Sequence, residues 1–145
     1  MTEGTGIYNF LRIDDNITTS GQPDEVKLTE LRDMGVMHII NLGLHDHEKA
    51  LPNEVATVLG LGMDYIHIPV QFSNPTEEDF EQFCVVLDTL KDEKIHIHCI
   101  ANYRVTAFLY RYLRDVLGMN DADARAPMDK IWQPNEVWAE FVKPH

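Results

Sequence analysis

Three short stretches dense in branched apolar residues recur along the chain, residues 36–44 (VMHIINLGL), 64–70 (DYIHIPV) and 94–99 (KIHIHC), with a helix-like segment between each and the next. Each is short for a helix and flanked by glycine or turn residues, so each reads as a buried strand. Strands that alternate with helices join in parallel, because a parallel pair needs a long crossover and a helix supplies it. The expected fold is α/β: a central, mostly parallel sheet of four or five strands flanked by helices. In such sheets ligands sit beyond the carboxyl ends of the strands, which puts the turns after Leu44, Val70 and His98 on one functional rim.

The remaining segments fit that plan. Residues 17–20 form a further strand, Ser20-Gly21-Gln22-Pro23 a turn, and Asp24 the cap of a helix over 25–34 with Val26, Leu28, Leu31 and Met34 on its apolar side. A helix over 53–61 turns Val55, Val58 and Leu59 inward. Pro75-Thr76-Glu77-Glu78 opens another, with Phe80, Phe83, Cys84, Leu87 and Leu90 as its stripe. The longest helix runs to Gly118 and buries Phe108, Leu109, Tyr112, Leu113, Val116 and Leu117. Shorter helices near 122–132 and 135–141 follow, with Trp132 and Trp138 packing that tail on the sheet.

No repeat, linker or low-complexity tract divides the 145 residues, so residues 1–145 read as one domain. Asp and Glu number 24 against 12 Lys and Arg, a formal charge of -12, which repels nucleic acid and anionic lipid surfaces. Neither is an expected partner. The N-terminal MTEGTGIYNF lacks the basic start and apolar run of a secretory signal, and no apolar run approaches the ~18 residues of a membrane span. Two cysteines, Cys84 and Cys99, make no disulfide framework. A reducing, cytoplasmic setting is expected, with Cys99 as a thiol.

The stretch His98-Cys99-Ile100-Ala101-Asn102-Tyr103-Arg104-Val105-Thr106 lies between the last strand and the longest helix. Unpaired N–H groups at a helix start, together with the positive end of the helix dipole, cradle an anion and favour a thiolate. An arginine in the first helical turn adds two parallel hydrogen bonds to phosphate oxygens, and Arg104 stands there. Arg111 and Arg114, further along, read as solvated or paired with carboxylates. Cys84, on a helical apolar stripe, reads as core.

This segment resembles the active loop of cysteine-dependent tyrosine and dual-specificity phosphatases, in which His-Cys is followed by five residues, Arg, and Ser or Thr. The chain is most similar to small bacterial phosphatase-like proteins of the beta-lactamase-hydrolase-like group. Shared landmarks are Ser20-Gly21-Gln22-Pro23, Ile39-Ile40-Asn41-Leu42, His67-Ile68-Pro69-Val70 and Ile131-Trp132-Gln133-Pro134-Asn135-Glu136. The resemblance implies that Cys99 is the nucleophile and forms a cysteinyl-phosphate. It implies that Ile100, Ala101, Asn102, Tyr103 and Arg104 bind the phosphoryl oxygens, and that Thr106 steadies the thiolate. It implies a phosphorylated small molecule or phosphoprotein as substrate, and no cofactor.

The sequence departs from that pattern in three ways. Four residues separate Cys99 from Arg104 instead of five. No glycine occurs in the loop, so Asn102 has to supply any left-handed residue. No Asp stands after the third strand, where Gln71-Phe72-Ser73-Asn74-Pro75 replaces the family's general acid. Losing general acid catalysis costs about 100- to 10,000-fold, least for aryl esters. Asp46, on the rim loop after the second strand, is the favoured substitute acid, with Asp79, His45 and His47 behind it.

Two rival functions remain at this level: a rhodanese-like sulfurtransferase carrying a persulfide on Cys99, which suits a short loop, and a phosphatase-like module that binds phosphate or another anion without turnover. His96, His98 and His67, and separately His45-Asp46-His47, raise a metal site, but no further ligand has suitable spacing, and none is expected.

Overall fold

The computed structural model describes residues 6–144; residues 1–5 and 145 lie outside it, and with them half of the N-terminal stretch read for a signal. The branched runs pair as a five-stranded sheet in the order β1-β2-β5-β3-β4. Its members are β1 (Leu11–Arg12), β2 (Ile17–Ser20), β3 (His38–Asn41), β4 (Asp64–His67) and β5 (Ile95–His98). β2, β5, β3 and β4 run parallel, and only the two-residue β1, which the sequence did not announce, is antiparallel, to β2. The parallel register aligns Ser20, His98, Asn41 and His67 at one edge of the sheet, so the following loops share a rim.

Alternation along β3 splits the core in two. Ile40 joins a large cluster with Phe83, Phe108, Met128 and Trp138, drawn from α3 (Glu77–Thr89), α4 (Tyr103–Arg111), α5 (Asp121–Ile131) and α6 (Glu136–Val142). Ile39 joins a smaller one with Leu28, Leu31 and Val58, from α1 (Glu25–Asp33) and α2 (Glu54–Gly60) on the other face. Burying both faces is what lets such strands be apolar on consecutive residues.

The helix starts follow their caps. Asp24 accepts from Lys27 N–H at 2.8 Å, and Thr76 and Asp79 form a reciprocal capping box. Some inward assignments fail: Val26, Val55, Leu59, Val116 and Leu117 are exposed. In α2 the inward place of Val55 and Leu59 is taken by Glu54, which is buried. At Tyr112 the long helix passes into a five-residue π-helix (Tyr112–Val116), which shifts the helical phase and turns Val116 and Leu117 to solvent. Among the described residues no helix is long and apolar enough to cross a membrane.

Candidate active site

The loop from Cys99 to Asn102 joins β5 to α4 at the shared rim. Its carbonyl groups are gripped from behind by three segments. His98 Nδ1 lies 3.1 Å from the Cys99 carbonyl, Gln22 N–H donates to that of Ile100 at 3.0 Å, and Asn9 Nδ2 to that of Ala101 at 2.9 Å. Among the described residues all peptides are trans, and in a trans peptide the C=O and the next N–H point opposite ways. Fixing three successive carbonyls inward therefore turns the N–H groups of Ile100, Ala101 and Asn102 outward, next to the free amides of the first turn of α4.

Asn102 supplies the left-handed residue, at φ 67°, immediately before α4. It carries that conformation because its Nδ2 is anchored twice, to the Asn9 carbonyl and to Thr19 Oγ1, both at 2.9 Å. Thr106 donates to the carbonyls of Asn102 and Tyr103, at 2.8 and 3.2 Å, so its hydroxyl braces the first turn of α4.

Cys99 is buried, and with His47, Phe72, Ile100, Ala101, Tyr103 and Arg104 it lines a cleft of about 280 Å³. Arg104 is also buried, its guanidinium carbon 5.4 Å from the centre of the Phe72 ring. Among the described residues it makes no ion pair, and its buried Nε has no protein partner. A buried guanidinium donor with no ion-pair partner beside it is suited to an anion from outside; Arg111 also has an unpartnered buried Nε, but its Nη atoms are paired. Arg111 and Arg114 instead pair with Glu77 at 2.7 Å and Asp115 at 2.6 Å. Tyr103 and Trp132 stack at 4.5 Å with planes 3° apart, and Phe72 adjoins both, giving the cleft an aromatic wall. Trp138 is fully buried, donates to the Phe72 carbonyl at 2.7 Å and lies 5.7 Å from its ring, so it backs the aromatic wall from the core.

The acid candidates separate. Asp46 is exposed and is not part of the cleft lining; its neighbour His47 is. Lys49 N–H donates to His47 Nδ1 at 3.0 Å, which leaves the ring proton of the neutral imidazole on Nε2. His45 is occupied elsewhere, stacked on His67 at 3.9 Å and bonded to the Tyr65 hydroxyl. Asp79 is spent in the capping box.

Beneath the loop two histidines play different parts. Ser20 Oγ donates to the Gly21 carbonyl at 2.6 Å, so it accepts from His96 Nε2, and the Thr18 hydroxyl donates to Nδ1; His96 is held neutral. Burial, and secondarily the charge of His98, drive its pKa well below the usual 6.5. His98 instead faces acceptors on both sides, the Cys99 carbonyl and, at 2.6 Å, the carboxylate of Glu54. Burial pushes the Glu54 carboxyl up, yet the charge and hydrogen bond of His98 and a bond from Gln22 outweigh it and hold it below 4.5. Cys84 is a half-buried thiol that burial and then Asp88 raise to about 11. Among the described residues no group of three or more His, Cys, Asp or Glu is placed to hold a metal ion.

A parallel sheet whose last strand delivers cysteine into an amide cradle, with arginine in the following helical turn, defines a phosphatase-like protein of the tyrosine and dual-specificity class. The family model described as a DSP-PTPase phosphatase fused to NAD+ kinase matches residues 12–136, and the chain belongs to that family. A DUF442 protein of Shewanella putrefaciens CN-32, solved as a candidate phosphatase, is 33% identical over 94% of this chain and 90% of its own, with a TM-score of 0.83. More distant chains share the fold. TpbA of P. aeruginosa, solved with pTyr, is 15% identical over 83% of this chain and 72% of its own (TM-score 0.69), and PTPMT1, solved with PI(5)P, is 15% identical over 92% and 91% (TM-score 0.77). No curated protein matches significantly.

Proposed function

We propose that the chain hydrolyses phosphate monoesters through a cysteinyl-phosphate on Cys99. The Cys99 thiolate attacks phosphorus, an S–P bond forms as the ester P–O bond breaks, and water then cleaves the S–P bond to release inorganic phosphate and return the thiol. The amides of Ile100, Ala101, Asn102 and Tyr103 and the Arg104 guanidinium meet the charge on the phosphoryl oxygens. The observation that carries this reading is the set of three loop carbonyls held inward beneath an unpaired, buried Arg104 Nε. That TpbA was solved with pTyr and PTPMT1 with PI(5)P supports a phosphorylated substrate.

In this reading the leaving oxygen is met by His47 rather than Asp46. With Nδ1 engaged by Lys49, His47 offers an Nε2–H hydrogen bond and not a readily released proton. Such a site favours esters whose leaving groups depart easily, and the aromatic wall of Phe72 and Tyr103 suits an aryl group. Tyrosine phosphates, free or in a protein, are the proposed substrate class. A free thiol nucleophile fits a reducing, cytoplasmic compartment.

The test is hydrolysis of 4-nitrophenyl phosphate by wild type and Cys99→Ser in parallel. Vanadate-sensitive turnover in wild type alone is the expected result. If both proteins are inert while wild type forms thiocyanate from thiosulfate and cyanide, Cys99 is a sulfur carrier; if wild type is inert in both assays but stabilised by vanadate, it is a binding module.

A further inference from the structure

Two of the three grips on the loop trace back to one side chain. Glu54, the first residue of α2, is 3% exposed and lies far from the loop in sequence. Its Oε2 is 2.6 Å from His98 Nε2, and the other ring nitrogen of His98 reaches the Cys99 carbonyl at 3.1 Å. Its Oε1 accepts from Gln22 Nε2 at 3.0 Å, and the main chain of Gln22 donates to the Ile100 carbonyl. A carboxylate only accepts, and so does a carbonyl; between them both nitrogens of His98 must donate, which is the imidazolium pattern. Burying such a pair adds little net stability against an apolar replacement of the same volume, so what it chiefly supplies is orientation.

We propose that Glu54 is a positioning residue for the phosphate cradle: its carboxylate holds His98 in the doubly protonated form, with Nδ1–H on the Cys99 carbonyl, and anchors the Gln22 side that fixes the Ile100 carbonyl. The inference rests on reading the loop as a phosphate cradle. In Glu54→Gln a single amide oxygen replaces two carboxylate oxygens, so it cannot serve both His98 Nε2 and Gln22 Nε2 as the carboxylate does, and Nδ1 no longer needs to carry hydrogen. The Cys99–Ile100 peptide is then free to rotate, and with it the first amide of the cradle.

Nitrogen-15 spectra of the His98 ring in the wild-type protein give the direct reading, independent of turnover. Both ring nitrogens should carry hydrogen, since each faces an acceptor; a ring with hydrogen on one nitrogen only overturns the proposal. Glu54→Gln should keep its far-ultraviolet spectrum and cooperative melting, yet lose roughly 10- to 100-fold in kcat on 4-nitrophenyl phosphate, the range that small misplacements of a reacting centre cost. KM should stay within about threefold. Vanadate should protect Cys99 less well from iodoacetamide in this variant. Because Glu54 acts through both His98 and Gln22, the triple variant Glu54→Gln/His98→Asn/Gln22→Ala should be no slower than His98→Asn/Gln22→Ala. Unchanged kcat and unchanged vanadate protection in a folded Glu54→Gln overturn the proposal. If Glu54→Gln does not fold, Gln22→Ala and the wild-type spectrum decide. If wild type proves inert on every ester, the phosphatase reading falls, and the His98 spectrum with vanadate protection still decides the role of Glu54.

Discussion

Gly21 passes so close beneath Ile100 that a Cβ added there would lie 2.6 Å from the Ile100 carbonyl oxygen and 3.3 Å from Ala101 Cα. The turn after β2 therefore supports the floor of the cradle, and only glycine fits between them. Gly21→Ala is expected to push the loop outward, destabilising the protein by about 1–3 kcal/mol, as overpacking does. Vanadate binding should weaken with it. Gly60→Ala is the control: nothing lies within 4 Å of a Cβ there, and at a helical position alanine should be neutral or stabilising by up to about 1 kcal/mol. Urea unfolding of the two variants reads the difference.

Arg104 offers the cleft both a charge and a planar shape. Its guanidinium lies against Phe72 and keeps an unpaired buried Nε, so lysine would retain the charge while losing the planar fork and the ring contact. Arg104→Lys should fold normally and lose about 100-fold or more in kcat/KM on aryl phosphates. A loss under about threefold would show that Arg104 contributes only a point charge.

The two neighbours His47 and Asp46 make opposite predictions. His47 lines the cleft and Asp46 is exposed outside it, so His47→Ala should slow hydrolysis and Asp46→Asn should not. The slowing should grow as the leaving group becomes more basic, from 4-nitrophenyl to phenyl phosphate, because a lost hydrogen bond matters most where most charge accumulates. A larger loss in Asp46→Asn than in His47→Ala would return the acid role to Asp46.

The parallel strands were legible because β2 to β5 are branched, short and bounded by turn residues, and Cys99 to Arg104 because their place at a strand-to-helix turn adds to their identity. β1 was not, since two residues carry no period. Val116 and Leu117 were misassigned because a π-turn breaks the helical phase and leaves no mark in composition. Val55 and Leu59 were misassigned for a different reason: the inward position of α2 is held by a carboxylate, and Glu54 looks in sequence like any first-turn acid. Its partner His98 lies 44 residues away, so no local pattern could reveal the pair. Asn9, which holds the loop from 92 residues away, was missed likewise, and Asp46 was preferred to His47 because a turn does not disclose which of its side chains points inward.

The buried histidine beneath the sheet edge sets the response to acid. His96 is held neutral, its pKa depressed by burial and then by His98, while in the unfolded chain it returns to the ordinary 6.5. Below pH 6.5 the unfolded state therefore binds a proton that the folded state refuses, and stability falls as the pH falls. The half-buried His67, also depressed by burial first, adds in the same direction. Glu54 acts in a lower window: its carboxyl is depressed in the fold, so its contribution is complete above 4.5 and is lost as the pH drops further. Urea unfolding at pH 7.0 and 5.5 should differ by roughly 1 kcal/mol from His96 alone, and each further unit down to its folded pKa should cost about 1.4 kcal/mol. His96→Gln should flatten that slope while leaving the decline below pH 4.5 in place. If His96→Gln leaves the slope between pH 7.0 and 5.5 as it is in wild type, His96 takes up its proton in the fold, against the hydrogen bonds from Thr18 and to Ser20 that hold it neutral.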